Sequence, residues 1–490
     1  MDKSYRTLLN NYIAFNEGAV INQYRLTYHM SPKVGWSNDP NGLIYFNGEY
    51  HLYYQSNPLR TKPGQMVWGH FVSKDLISFE DKGVALALDE LGENAYSGGA
   101  IEENGEINIY YTLHTEKHPM NIRYDGDVLE GDEILTEEEN EKRKYLPFVN
   151  EGKDIKEEEV YYSTSKDGNH FLKGKRVFDN NELPDYISQT DFRDPCPVKI
   201  NDTYYLFIGG KDIKKEKGVI IVLKSRTLDN FKLAFILGPY YELGNMAECP
   251  CYYHIDNKDV LLVSGSNVIK RDNDFKNINV SVFIVGELDF NKGKMKVDYI
   301  KEIDKGDSFY APQFIRGADR PIMIGWLEMW GKKYVTRRLR HGYVGAFSIP
   351  RVISLGDNDI FQWPIEEINN YSKEVHSDYL PNHSDITLNM QETSSIVIKG
   401  DNGSVKISNV EGYIYVDDSD ANAIYKSVRH TNQKYKDATL RILLDTSSIE
   451  VFIDRGREVI SDRIYIDGEL KLETYGEVSN IKVKEIGDRT

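Results

Sequence analysis

A spaced repeat constrains this chain more than any other feature. A turn pair followed by a short aromatic or aliphatic run occurs as Asn47-Gly48-Glu49-Tyr50-His51-Leu52-Tyr53-Tyr54 and again as Asn104-Gly105-Glu106-Ile107-Asn108-Ile109-Tyr110-Tyr111. It returns as Asn201-Asp202-Thr203-Tyr204-Tyr205-Leu206-Phe207, as Asn257-Lys258-Asp259-Val260-Leu261-Leu262-Val263 and, more weakly, as Ala318-Asp319-Arg320-Pro321-Ile322-Met323-Ile324. These starts lie 57, 97, 56 and 61 residues apart. A second element follows the turn pair by 26, 61 and 24 residues: Ser73-Lys74-Asp75 with Phe79, Ser165-Lys166-Asp167 with Phe171, and Ser225-Arg226-Thr227 with Phe231. Both series stretch in the same place, across residues 115–160. Period-2 alternation fills the intervals, and a fixed period of this length marks an array of like units. Five units of two hairpins each predict a five-bladed β-propeller.

The stretched segment carries fifteen Asp/Glu against seven Lys/Arg, a net of −8 within a chain total of −17. It reads as a solvated loop insertion, with a lid or partner surface as the other reading. Its Asp125-Gly126-Asp127 and Asp132 lack calcium-loop spacing, so no metal is assigned. After Pro364 the pattern changes to alternating strands, such as Leu440-Ile442-Leu444 and Ile449-Val451-Ile453, separated by polar turns; this is a β-sandwich pattern. The expected all-β organisation is an N-terminal segment over 1–26, a propeller over 27–355, a linker over 356–380 and a sandwich over 381–490.

Composition narrows the function classes. A net charge of −17 is the wrong sign for a nucleic-acid binder. No run reaches the roughly 18–20 apolar residues of a membrane span, and the start shows no secretory signal pattern. Three cysteines, Cys196, Cys249 and Cys251, cannot all pair within one chain; such sparse usage suits a reducing compartment and predicts a cytoplasmic protein. Cys249 and Cys251 lack nearby His partners for a metal, and no Gly-rich phosphate loop appears, so no cofactor is expected. Nothing in the sequence bears on oligomeric state.

In a propeller the first strand of each blade lies innermost, so polar residues there converge on the central channel. Seven to eleven residues before the turn pairs stand Asn38-Asp39, Ser97-Gly98, Arg193-Asp194, Glu248, and Asp307 with Tyr310. Singly each reads as a turn or capping residue. Three carboxylates (Asp39, Asp194, Glu248) at equivalent points of three blades need a functional reason, because burying them unpaired costs several kcal/mol.

The motifs around these residues resemble glycoside hydrolase family 32, the invertase and fructanase family. Tyr28-His29-Met30-Ser31-Pro32 followed by Gly35-Trp36-Ser37-Asn38-Asp39-Pro40-Asn41-Gly42 is similar to its nucleophile motif. Arg193-Asp194-Pro195 and Glu248-Cys249-Pro250 resemble its Arg-Asp-Pro and acid motifs. Tyr96-Ser97-Gly98-Gly99-Ala100, Trp68-Gly69-His70 and Tyr310-Ala311-Pro312-Gln313 are weaker likenesses, and Ser447-Ser448-Ile449-Glu450-Val451-Phe452 resembles its sandwich domain. The chain departs from the family at Ser37, where Met is usual, and at Pro63, where a rim Trp is common.

The resemblance implies a retaining β-fructosidase acting on sucrose, sucrose 6-phosphate or short fructo-oligosaccharides. Asp39 is then the nucleophile, Glu248 the acid/base, and Asp194 a partner of fructose hydroxyls. Asn38, Gln55, Ser97 and Arg193 are implied as further sugar contacts; Gln55 and Ser97 read equally as satisfied strand polar groups. Trp36, Trp68 and Trp326 are either apolar faces for the sugar or core. Lys33, Arg60 and Lys62 are candidates for a phosphate at the funnel mouth, or plain surface charge. Fructosyl transfer by the same residues and a non-catalytic sugar-binding propeller are the alternatives; retention of both Asp39 and Glu248 argues against the second.

Overall fold

The computed structural model describes residues 4–90, 92–117, 155–271, 274–356, 358–376, 379–421 and 426–487. The repeat becomes five sheets of four successive antiparallel strands. Blade 1 comprises Gly35–Phe46, Glu49–Asn57, Val67–Ser73 and Glu80–Leu86; blade 2 comprises Glu93–Glu103, Glu106–Lys117, Ile155–Ser165 and Lys175–Arg176. Blade 3 comprises Ile187–Ile200, Thr203–Asp212, Lys217–Ser225 and Lys232–Leu237; blade 4 comprises Met246–Ile255, Lys258–Ser266, Val280–Asp289 and Lys294–Glu302. Blade 5 comprises Tyr310–Phe314, Ile322–Trp326, Arg351–Gly356 and Asp359–Pro364. The first strand of each blade lies against the first strands of both neighbouring blades, which closes the propeller ring. The short strand Tyr343–Val344 pairs in parallel with the first strand of blade 1, Gly35 opposite Tyr343 and Trp36 opposite Val344.

Both repeated elements have local causes. Asn47-Gly48 and Asn104-Gly105 join first to second strands with positive φ (51° and 86°, then 56° and 74°), the turn whose twist suits a tight hairpin. The Ser-x-Asp element turns the chain between third and fourth strands. Asp75 Oδ1 accepts from the Ile77 and Ser78 N–H at 2.9 and 2.8 Å, and Asp167 Oδ1 from Asn169 and His170 at 2.8 and 2.9 Å.

Three expected boundaries move. Strands Glu106–Lys117 and Ile155–Ser165 pair continuously from Ile107 opposite Ser165 to Lys117 opposite Ile155. Residues 115–117 and 155–160 are therefore blade, not loop, because their backbone groups complete that ladder. The rest of the acidic segment, 118–154, lies outside the described residues. Asp359–Pro364, placed by sequence in the linker, is the fourth strand of blade 5, paired with Arg351–Gly356; Ser372–Glu374, placed there too, is an edge strand of the sandwich, paired with Val478–Ile486.

The C-terminal part is a sandwich of a six-stranded and a five-stranded sheet. Alternation sends Ile386, Leu388, Leu440, Ile442, Ile396 and Ile407 into one buried core. A buried ionic joint ties it to the propeller. His29 bridges Asp445 and Glu450, both at 2.8 Å, and Arg351 holds Asp304 at 2.9 Å and Glu450 at 2.5 Å. Near the start, the helix Tyr5–Asn16 packs Leu9 against Val67 and Val84 of blade 1. Among the described residues no helix is long and apolar enough to cross a membrane.

Candidate active site

All five first strands break register where they approach the channel axis. In blade 1 pairing passes from Ser37 to Pro40, in blade 2 from Tyr96 to Gly98, and in blade 3 from Arg193 to Cys196. In blades 4 and 5 it passes from Glu248 to Cys251 and from Tyr310 to Gln313. The residues left out of the ladder are Asn38 and Asp39, Ser97, Asp194, Cys249 and Ala311, with prolines 195, 250 and 312, which have no N–H to lose. Such bulges re-aim side chains. Asp194, Cys249 and Ala311 adopt φ of 66°, 47° and 50°, a left-handed backbone that non-glycine residues rarely hold.

The result is a pocket of about 260 Å³ lined by Asn38, Asp39, Gln55, Ser97, Arg193, Asp194 and Glu248. Ser97 Oγ donates to Asp39 Oδ2 at 2.9 Å. Asp39 Oδ1 accepts no hydrogen bond of good geometry, although the Asn38 amide lies close enough to offset part of the burial penalty. Asp194 Oδ2 accepts from the Cys249 N–H at 2.9 Å, and the Cys249 Sγ sits 3.6 Å from Asp39 Oδ2 and 3.5 Å from Asp194 Oδ2. Glu248 is held at both oxygens: Arg193 Nη2 donates to Oε1 at 2.7 Å and Tyr310 Oη to Oε2 at 2.5 Å.

Burial governs the electrostatics. It pushes Asp39 up to about 6, helped by the neighbouring Glu248 and opposed by hydrogen bonds from Asn38, Ser97 and Cys249. It pushes Asp194 up to about 7, with Arg193 opposing and Glu248 and Asp39 adding to the rise. Burial disfavours the Arg193 charge, but Glu158 and Glu248 outweigh it and keep the guanidinium protonated.

Some expected residues lie elsewhere. Trp68 is fully buried between blades, where its Nε1–H donates to the Tyr96 carbonyl at 3.0 Å; it does not line the pocket. Trp36 and Trp326 are likewise core. Gln55 lines the pocket while donating to the Ala95 carbonyl at 3.0 Å. Asp307 faces the sandwich instead of the funnel, where its N–H meets Asp462. Lys33, Arg60 and Lys62 are not among the lining residues, and Lys33 pairs with Glu17 at 3.2 Å.

Sequence reasoning missed Glu158 and Trp330. Glu158 is buried on the third strand of blade 2, accepts from Arg193 Nη1 at 3.1 Å on both oxygens, and was hidden inside the presumed insertion. Trp330 lines the pocket and packs on Trp36 and Trp326, giving the aromatic face that Pro63 does not supply. Only its nearness in sequence to Trp326 could have signalled it.

The family model for the glycosyl hydrolases family 32 N-terminal domain matches residues 29–364, and that for the family's C-terminal domain matches 379–485. The chain belongs to glycosyl hydrolase family 32. Among its relatives, this family-32 chain is 28% identical to a sucrose-6-phosphate hydrolase of Escherichia coli, over 89% of its own length and 88% of the relative's. A Bombyx mori GH32 β-fructofuranosidase structure superposes with a TM-score of 0.81 at 26% identity, covering 100% of this chain and 99% of that one. The sucrose-6-phosphate hydrolase structure from Lactobacillus gasseri shares the fold, with a TM-score of 0.82 at 22% identity over 99% and 98% of the two chains. The family-32 hydrolase is thus a glycoside hydrolase built as a five-bladed propeller followed by a sandwich.

Proposed function

We propose that this enzyme is a retaining β-fructosidase that removes the terminal fructosyl unit of sucrose, sucrose 6-phosphate or short fructo-oligosaccharides. The observation that carries the reading is the convergence of Asp39, Asp194 and Glu248 on one pocket, with Asp39 Oδ1 unclaimed by a well-formed hydrogen bond. Asp39 attacks the anomeric carbon, the bond to the leaving oxygen breaks, and Glu248 protonates that oxygen. Glu248 then takes a proton from water, which attacks the same carbon and releases Asp39. Arg193 and Tyr310 fix the Glu248 carboxyl in place for both transfers. Asp194 accepts hydrogen bonds from fructose hydroxyls, bonds that tighten as positive charge develops on the ring. Trp330 offers its face to the leaving sugar. Three cysteines without a disulfide fit the reducing, cytoplasmic setting proposed here.

Release of reducing sugar from sucrose, sucrose 6-phosphate and 1-kestose tests the reading directly. Turnover of at least one with retained anomeric configuration in the first-formed fructose supports it. No turnover of any, or inversion, refutes it.

A further inference from the structure

Three aspartates that this chemistry does not use meet where the propeller rests on the sandwich. Asp307 precedes the first strand of blade 5. Asp462 ends the sandwich strand Glu458–Asp462, and Asp418 follows Tyr413–Asp417 of the opposite sandwich sheet. All three are buried, and one carboxylate oxygen from each lies within 4.8 Å of the other two. Positions 307, 418 and 462 are too far apart in sequence for any spacing motif to reveal the cluster.

The cluster is undercompensated. The Asp307 N–H donates to Asp462 Oδ1 at 2.7 Å, and the two carboxyls lie within hydrogen-bond reach of each other, but no N–H of the described residues reaches Asp462 Oδ2 although the residue is 0% exposed. Asp418 accepts from the Ser427 N–H at 2.9 Å. Among the described residues the one cation in ion-pair contact with the cluster is Lys332, 2.5 Å from Asp307 Oδ1; nearby Arg463 is engaged by Glu328 at 3.1 Å. With all three carboxylates ionised, the one ammonium would leave two negative charges in a buried site, which a single divalent ion neutralises. The donors are all oxygen, which selects a hard cation. Calcium–oxygen bonds of 2.3–2.6 Å put two ligands of one ion up to about 5 Å apart, which matches the observed spread. A cavity of about 10 Å³ beside Asp307 and Lys332 has room for about one coordinating water.

We propose that Asp307, Asp418 and Asp462 bind a divalent cation of the calcium class at the propeller–sandwich junction. The ion joins blade 5 to both sandwich sheets and stabilises their docking, without touching the catalytic pocket. The rival occupant is a proton shared between Asp307 and Asp462.

The test uses the full chain, freed of metal by chelation and held at pH 7.5. Tb³⁺ serves as the probe, its luminescence sensitised by Tyr334 and Tyr465 at the cavity wall. Saturable emission displaced by Ca²⁺, with a Ca²⁺-dependent rise in Tm, is the expected result. Asp462→Asn and Asp418→Asn should each weaken Ca²⁺ binding about tenfold or more while leaving sucrose turnover unchanged. Should either fail to fold, the response of the unsubstituted protein and its bound calcium after dialysis still decide. Absence of any Ca²⁺ effect on that protein, or an effect kept in full by both variants, overturns the proposal. A Tm that ignores Ca²⁺ and rises as pH falls would assign the gap to the shared proton.

Discussion

Asp39 combines a functional demand with a folding cost, and substitution separates them. Asp39→Asn removes the nucleophile, so kcat is expected to fall by about a thousandfold or more. The same change should stabilise the protein at pH 7. Burial raises the Asp39 pKa from 3.8 to about 6, so the folded state holds the charge at a penalty on the order of 3 kcal/mol above that range. Denaturant unfolding of variant and parent checks this, and a less stable variant would refute it. The same shift sets the acid limb of kcat/KM. The nucleophile acts only when ionised, so activity should drop as pH falls through about 6, and more steeply if Asp194, raised to about 7, must also be ionised. A limb centred near 4 would contradict the burial account. Glu248→Gln should abolish hydrolysis of sucrose yet spare a substrate whose leaving group needs no proton. Equal loss on both would remove Glu248 from the acid role.

The first strand of each blade is the element in which fold and chemistry meet, and it was only partly legible. Turn pairs, the Ser-x-Asp element and alternation made the blades readable, because each depends on local backbone chemistry. Asp39, Asp194 and Glu248 were readable because they recur at matching distances before those turns. The bulges that aim them were not, since skipped register depends on the partner strand. Glu158 stayed hidden because its acidic neighbours make the strand look like loop, although pairing with Glu106–Lys117 overrides that composition. Trp68 misled for a related reason: a Trp beside a polar motif reads alike whether it faces sugar or core. The bulges also hold measurable strain. Ala311 sits at φ 50°, so Ala311→Gly should raise stability by about 0.5–1 kcal/mol, the relief of left-handed strain less the added freedom of the unfolded chain. A fall in the denaturation midpoint would mean that this backbone is not strained.

Across the whole molecule, the joint at His29 explains why motifs that resemble catalytic signatures extend beyond the pocket. His29 stands ten residues before Asp39 yet faces Asp445 and Glu450 of the sandwich. His29→Ala would take from buried Asp445 its only ion-pair partner among the described residues and leave buried Glu450 to Arg351 alone, and should cost about 3–5 kcal/mol. Burial opposes the His29 charge, but the two carboxylates prevail and raise its pKa above the ordinary 6.5. Its contribution is therefore full below pH 6.5 and fades as pH rises through the folded value. Asp445 and Glu450 are held below the usual carboxylate range despite burial, chiefly by His29 for Asp445 and by Arg351 for Glu450; their contribution is lost as pH falls through that range. The stability difference between parent and His29→Ala should thus peak on the acid side of neutrality, and Tm measured against pH reads it. The strand Tyr343–Val344 has a different consequence, one in time. Its partner Trp36 leaves the ribosome 308 residues earlier than Val344, roughly 15–60 s at 5–20 residues per second. Throughout that interval the nascent chain carries an open edge that the finished protein never shows, so stalled chains ending before residue 344 should be cut by protease within blade 1, and chains extending past the sandwich should resist.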